Sequence, residues 1–193
     1  MNVLSEEVID KKEWLFKTTV HLVAKNGFHG TSMSMISKES EIAIGTIYHY
    51  FKSKDDLILE VLLYTKQKFY DVSFGEDDST KDFYERFKAL WSNLYEHMVL
   101  FPEKLSYISQ YFSSPFAFND DRDTFCFQSD FGSFIQPAKE QKIVQDIPLE
   151  ILSSIFLGSV INSAKQFSKT KQRLQKNEIN IMVDTIWNGI KIK

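Results

Sequence analysis

Apolar residues recur at helical spacing through most of this chain, and the first such stretch predicts a helix over about residues 6–26. Its inward face is formed by Leu15, Phe16, Thr19, Leu22 and Val23. Gly27 follows directly and favours the left-handed conformation in which helices commonly end. The pattern therefore predicts one amphipathic helix that ends at Asn26-Gly27.

Two short helices and a long one are predicted next. The first begins at a cap on Thr31 or Ser32 and runs to about Ser40, and the second covers about residues 44–50. Their inward positions are Ile36, Ile42, Ile47 and Phe51. Two short helices joined by a tight corner are typical of a helix-turn-helix, which places one helix in the major groove of DNA.

The remaining two thirds of the chain also read as helices. Ser53 and Asp56 resemble a capping box at the start of a long fourth helix over about residues 54–72. Further apolar stripes predict helices over about 83–101, 102–114, 119–137, 148–170 and 177–190. We therefore expect an all-α protein of nine to ten helices. Its expected domains are residues 1–53 and 73–193, with the fourth helix as connector.

The composition and the absence of certain motifs argue against several classes of protein. The single cysteine, Cys126, cannot form an intrachain disulfide, and it is a small buried hydrophobe or, alternatively, a redox sensor. The sequence has no glycine-rich phosphate loop, zinc-ligand spacing or nucleophile motif, so we expect no enzyme, cofactor or metal. The longest apolar stretch, Ile151–Ile161, contains three serines and is too short to span a membrane. A cytoplasmic protein is expected.

The net charge of the chain does not by itself favour binding to nucleic acid. The chain carries a formal net charge of −3, and residues 1–68 contain nine lysines and nine acidic residues. DNA affinity would therefore have to come from the local placement of charge, from helix N-termini and from the paired heads of a dimer.

Over about residues 9–62 the chain resembles the tetracycline-repressor (TetR/AcrR) family of bacterial transcription regulators. The matching segments include Gly27-Phe28, Thr31-Ser32-Met33, Gly45-Thr46-Ile47-Tyr48, Tyr50-Phe51 and Ser53-Lys54. The resemblance implies a three-helix DNA-binding head, a C-terminal domain that binds a ligand, and a homodimer formed through the last two helices. Beyond the fourth helix only the chain length and the helix count resemble the family.

Three positions depart from the family pattern. Ser40-Glu41 stands where the family usually has Ala-Gly, so we expect Glu41 to adopt a left-handed conformation. Ala43 replaces the usual serine and removes a side-chain cap from the third helix. Ile44 stands where a basic or polar residue is common, and an aliphatic side chain can contact only a thymine methyl group or pack.

The resemblance and the helix positions together imply a set of DNA-contacting residues. These are Thr31, Ser32, Ala43, Ile44, Gly45, Thr46, Tyr48, His49, Tyr50 and Lys54. The hydroxyl groups, the two tyrosines and Lys54 would contact phosphates and sugars, while the exposed side of the third helix would contact bases. In the alternative interpretation Tyr48 is a core aromatic, Lys54 a solvated surface charge and His49 a surface residue without a base contact.

An aromatic-rich second half suggests a sensor. The resemblance and this composition predict an apolar ligand pocket lined by Trp91, Tyr95, Tyr107, Tyr111, Phe112, Phe127, Phe131 and Phe134. We expect a repressor that a lipophilic small molecule releases from a pseudo-palindromic double-stranded DNA operator. If these rings instead fill a core, the same fold would act without a small ligand, through a protein partner or as a DNA-organising factor.

Overall fold

The computed structural model describes residues 3–75, 77–114 and 127–193, with side chains from residue 11 onward. These ranges form α1 (Val3–Gly30), α2 (Met33–Ser40), α3 (Ile44–Tyr50), α4 (Lys54–Phe74), α5 (Phe83–Leu100), α6 (Pro102–Phe112), α7 (Phe127–Glu140), α8 (Leu149–Thr170) and α9 (Lys176–Ile190). The all-α prediction is confirmed. Cys126 and the helix start expected at Asn119 lie outside the described residues.

Several helix ends lie where the sequence predicts them. Gly27 has φ 74° and ψ 169°, so the regular part of α1 ends there and a short turn continues to Gly30. Pro148 precedes α8, where its fixed φ fits the start of a helix and no side-chain cap is present. Pro137, which is expected to kink or end its helix, lies inside α7, and the helix continues to Glu140.

The chain divides into two compact units. The first contains residues up to 66 together with 103–123, of which 115–123 lie outside the description. Its core includes Ile36, Ile47 and Tyr107, which are at most 1% exposed. The predicted domains, 1–53 and 73–193, place α6 in the second domain. In the structure α6 instead packs within the unit that contains α1–α3.

Residues 67–102 and 124–193 form the second unit, described from residue 127 onward in its later part. Aromatic rings from α5, α7 and α8 meet in its core: the ring centroids of Phe87 and Phe156 lie 5.1 Å apart, and those of Phe131 and Phe156 lie 4.9 Å apart. The chain end is held by the Ile192 amide, which donates to the Ile143 carbonyl oxygen at 3.0 Å. No helix in the described ranges has the length and apolar character required to cross a membrane.

Candidate nucleic-acid interface

Helix α3 turns almost all of its surface outward. Of its seven residues only Ile47 is buried, and its side chain is fully enclosed in the core of the first unit. The exposed residues are Ile44, Gly45, Thr46, Tyr48, His49 and Tyr50. Exposures of 48% for Tyr48 and 55% for Tyr50 exclude the core-aromatic interpretation of Tyr48. A single buried anchor therefore holds a helix whose other side chains are open to a partner.

The backbone at the start of α3 supplies the geometry of this face. Ala43 has φ −54° and ψ 134°, and its carbonyl oxygen accepts hydrogen bonds from the amides of Thr46 and Ile47. Ala43 gives no side-chain cap, as predicted. A Cβ atom placed on Gly45 would have no neighbour within 4 Å, so this position is open on the outward side of the helix.

Thr31 and Ser32, just before α2, lie in different environments, although the sequence predicts phosphate contacts for both. Ser32 is exposed and caps the helix, because its Oγ accepts a hydrogen bond from the Met35 amide at 3.2 Å. Thr31 is fully buried, and its Oγ1 donates to the Gly27 carbonyl oxygen at 2.8 Å. The expectation that the Thr31 hydroxyl contacts a phosphate is therefore wrong: it stabilises the turn after α1 instead.

The corner between α2 and α3 is fixed by two hydrogen bonds from side chains to its backbone. Glu41 has φ 58°, the left-handed conformation predicted from the missing glycine. The Ser37 hydroxyl donates to the Ile42 carbonyl oxygen at 2.7 Å, and the Trp14 indole nitrogen donates to the Ser40 carbonyl oxygen at 3.1 Å. Both bonds join side chains to the corner backbone, and no periodicity in the sequence points to them.

Lys54, the first residue of α4, is half-buried. Its ammonium group donates a hydrogen bond to the Phe28 carbonyl oxygen in the turn after α1. Burial lowers the pKa of Lys54, and the neighbouring Asp55 carboxylate acts in the opposite direction. An ammonium has three donors, so this bond leaves two N–H groups for a phosphate. The interpretation of Lys54 as a freely solvated surface charge is excluded.

Two of the acidic residues in the first unit form ion pairs with lysines of α1, away from α3. Lys17 pairs with Glu13 at 2.9 Å along α1, and Lys12 pairs with Glu60 on α4 at 3.4 Å. Glu13 also accepts a hydrogen bond from the Tyr64 hydroxyl at 2.9 Å. These carboxylates are therefore offset by local partners.

The eight aromatic residues of the predicted pocket are divided between the two units. Tyr107 and Tyr111 are buried in the first unit, where both rings meet the Phe28 ring edge-on. The Tyr107 hydroxyl donates to the Ile58 carbonyl oxygen at 2.7 Å, and burial raises its pKa. Phe112 is 53% exposed. These three α6 residues therefore belong to the first unit, and their assignment to one pocket with the others stays a prediction.

The other five predicted pocket residues do share the second unit. Trp91 and Tyr95 stack with their ring centroids 5.5 Å apart, and the Trp91 indole nitrogen donates to Ser159 Oγ at 2.9 Å. The Tyr95 hydroxyl accepts from the Leu174 amide at 2.8 Å. The rings of α7 form a second group: Phe127, Phe131 and Phe134. Each polar atom of the first group is thus already bonded within the protein.

Two family models together match most of the chain. The model described as bacterial regulatory proteins, tetR family, matches residues 15–61, and the model described as tetracyclin repressor-like, C-terminal domain, matches residues 83–191. A relative in Haemophilus influenzae, described as an HTH-type transcriptional regulator, is 28% identical over 190 residues, which cover 94% of this chain and 96% of the relative.

Solved structures agree with these matches. A TetR-family transcriptional regulator from Haemophilus influenzae is 26% identical, with a TM-score of 0.82 and coverage of 96% of this chain and 99% of that chain. A TetR family regulator from Marinobacter aquaeolei has a TM-score of 0.85 at 18% identity, covering 98% and 100%. The second likeness concerns the fold alone.

Proposed function

The chain belongs to the tetR family of bacterial regulatory proteins and is a helix-turn-helix transcriptional regulator, and from this premise we propose that it is a repressor released from its operator by a lipophilic small molecule. Members of this class are regulators and not enzymes. Action on DNA would locate the protein in the cytoplasm.

The observation that carries the DNA-binding proposal is the exposure of α3 around the single buried anchor Ile47. We assign base contacts to Ala43, Ile44, Thr46 and His49, with Gly45 allowing close approach of the backbone. Tyr48, Tyr50, Lys54 and the capped N-terminus at Ser32 would contact phosphates and sugars. Thr31 contributes through the turn that it stabilises.

Selection from random DNA duplexes tests this assignment and does not require a known operator sequence. A dimer with two copies of α3 should enrich a pseudo-palindrome whose half-site centres lie about 34–36 Å apart, or a longer separation with fixed spacing. Enrichment of a single asymmetric half-site that a monomer binds tightly would overturn the proposed mode of binding.

We assign dimerisation to the outward faces of α8 and α9. On α8, Ile151 and Ile155 are 50% and 45% exposed, and on α9 Ile181 is 63% exposed. Gly158 continues the α8 face one turn after Ile155, and a Cβ atom there would meet nothing within 4 Å. Apolar side chains beside a small residue suit close contact between helices, and a stable interface needs about 800 Å² from each partner.

The inducer site is proposed in the second unit, among Trp91, Tyr95, Phe127, Phe131 and Phe134. Phe127 and its neighbour Phe74 are only half-buried, with ring centroids 5.7 Å apart, so an apolar ligand could enter beside them. A panel of long-chain acyl and aromatic apolar compounds tests this. An inducer should raise the melting temperature and weaken operator binding, and Phe131→Leu should reduce its affinity.

The packing of the same rings also supports a second candidate. Phe83 and Phe134 lie 4.9 Å apart between centroids, as do Phe131 and Phe156, which is the spacing of a filled aromatic core. A regulator of this fold would then act through a protein partner or organise DNA without a small ligand. Operator affinity unchanged across the whole apolar panel would favour this second function.

A further inference from the structure

A groove in the first unit contains no residue of the proposed inducer site and is lined by apolar and aromatic side chains beside two lysines. It has a volume of about 160 Å³ and lies between α1, the corner and α3. Its lining residues are Lys11, Lys12, Leu15, Ile42, Thr46, Ile47, Tyr50 and Phe51. Most of the wall is apolar or aromatic, and the charged members are both cations.

Size limits what such a groove can hold. An apolar cavity of ~150 Å³ accommodates one benzene molecule. The volume here is therefore sufficient for one six-membered ring with a small substituent, and too small for a long acyl chain or a fused polycycle. The half-buried Ile42 and the exposed Tyr50 present apolar and aromatic surface that suits the ring of such a molecule, and the buried Leu15 and Phe51 form the floor behind them.

The two lysines in the lining favour a ligand whose ring carries a negatively charged substituent. Lys12 Nζ lies 5.3 Å from the centroid of the Phe16 ring and 5.9 Å from that of Phe51, so its charge is held above the aromatic wall. It is paired with Glu60 at 3.4 Å, and both side chains are nearly half exposed. Lys11 is exposed beside it. A ligand carboxylate can pair with Lys11 and compete with Glu60 for Lys12.

We propose that this groove binds a small aromatic carboxylate, with the ring against Ile42 and Tyr50 and the carboxylate at Lys11 and Lys12. Because Thr46 and Tyr50 line the groove and also belong to the outward side of α3, an occupant competes with DNA directly. Such competition needs no change of conformation and no ligand in the second unit.

Benzoate is the probe, and its binding is measured on the full protein without DNA, so the result does not depend on the proposed repressor function. Titration at constant ionic strength should give saturable chemical-shift changes at the amides of Ile47 and Phe51, with a Kd on the order of 1 mM. Benzyl alcohol, which lacks the charge, and acetate, which lacks the ring, should each bind at least about fivefold more weakly.

Variants test the two cations in opposite directions. Lys11→Met with Lys12→Met keeps the apolar stems and should weaken benzoate binding about tenfold or more. Glu60→Gln frees Lys12 from its carboxylate and should tighten binding severalfold. Lys17→Met, on α1 and outside the groove lining, is the matched control and should leave the benzoate Kd unchanged.

A duplex from the selection above then tests competition. Benzoate at ten times its Kd should raise the apparent Kd for DNA about tenfold relative to acetate at the same concentration. The proposal is overturned if benzoate gives no saturable shifts at Ile47 and Phe51, if acetate gives the same shifts, or if the lysine variants bind benzoate as the parent does. Benzoate binding without competition would overturn the assignment of the groove to the DNA-facing side of α3.

Discussion

The Lys54 ammonium donates to the carbonyl oxygen of Phe28, which joins the first residue of α4 to the turn that follows α1. Phe28 is itself buried, with Tyr107 and Tyr111 of α6 against its ring. The backbone of this turn leads through Thr31 to the capped start of α2. Lys54 therefore contributes to the shape of the head as well as to its charge.

Replacing Lys54 separates these two contributions. Lys54→Met should lower the free energy of unfolding by about 1–2 kcal/mol, the scale of a hydrogen bond to a charged group. It should also weaken binding to every DNA sequence and lower the salt slope by about 1, because one phosphate contact is lost. Lys52→Met, an exposed neighbour, is the control for stability. Unchanged affinity and salt dependence would remove Lys54 from the DNA interface.

Gly45→Ala tests whether the backbone of α3 approaches DNA closely. The new methyl group has no neighbour within 4 Å in the protein, so the free energy of unfolding should stay the same or rise by up to about 1 kcal/mol. DNA affinity should fall roughly tenfold or more, the scale of one lost base contact. An affinity equal to that of the parent would place Gly45 away from DNA.

Glu41→Gly tests the cost of the corner. A non-glycine residue at φ 58° is strained, and glycine adopts this conformation freely, so the unfolding free energy should rise by about 1 kcal/mol. Glu41→Gln retains the side-chain bulk and removes only the charge, and it should leave stability unchanged. Urea unfolding measures both. If Gln stabilises as much as Gly, charge and not backbone strain is the cause.

Ile155→Glu tests the proposed dimer face. The side chain is 45% exposed in one chain, so a charge there should be tolerated by the fold and excluded from an apolar interface. Sedimentation should detect monomers, and operator affinity should fall by about 10² or more as avidity is lost. Leu100→Glu, a 56% exposed apolar residue on α5, is the control and should remain dimeric. A dimeric Ile155→Glu variant would require a different interface.

Local patterns predict the head well because each decisive residue acts on its own neighbours. Gly27 ends the regular part of α1, and the corner where the family usually has glycine holds Glu41 in the left-handed conformation. Pro148 marks the start of α8 in the same way. These effects depend on the backbone conformations that a single residue favours, so they can be predicted from the identity of that residue.

The direction of a side chain and its long-range packing are harder to predict from the sequence. Thr31 and Ser32 are adjacent and chemically alike, yet one is buried and the other exposed, because the Gly27 turn rotates Thr31 inward. Tyr107 and Tyr95 both lie on apolar helical stripes of aromatic-rich sequence. Tyr107 nevertheless belongs to the first unit, where its ring packs against Phe28. Aromatic content predicts that a side chain is buried, but it does not predict which of the two units contains it.

The Tyr84–Asp184 pair gives the second unit a dependence on alkaline pH. The Tyr84 hydroxyl donates to the Asp184 carboxylate at 2.5 Å, and this bond, followed by burial, raises the pKa of Tyr84 to about 12 from the ordinary value of 10.0. Below pH 10 both folded and unfolded chains hold the proton, and the bond contributes fully. Between about pH 10 and 12 only the folded chain retains it, so this contribution is lost as pH rises.

Tyr84→Phe should therefore lower the free energy of unfolding at pH 8 by about 1 kcal/mol. The difference from the parent should shrink as pH rises through 10 toward 12, because the parent alone loses this contribution. Urea unfolding at several pH values measures the difference, and Tyr48→Phe, an exposed tyrosine in the other unit, should give none. A difference that stays constant to pH 12 would mean that the hydroxyl affects packing and not proton binding, because only a change in bound protons gives stability a pH slope.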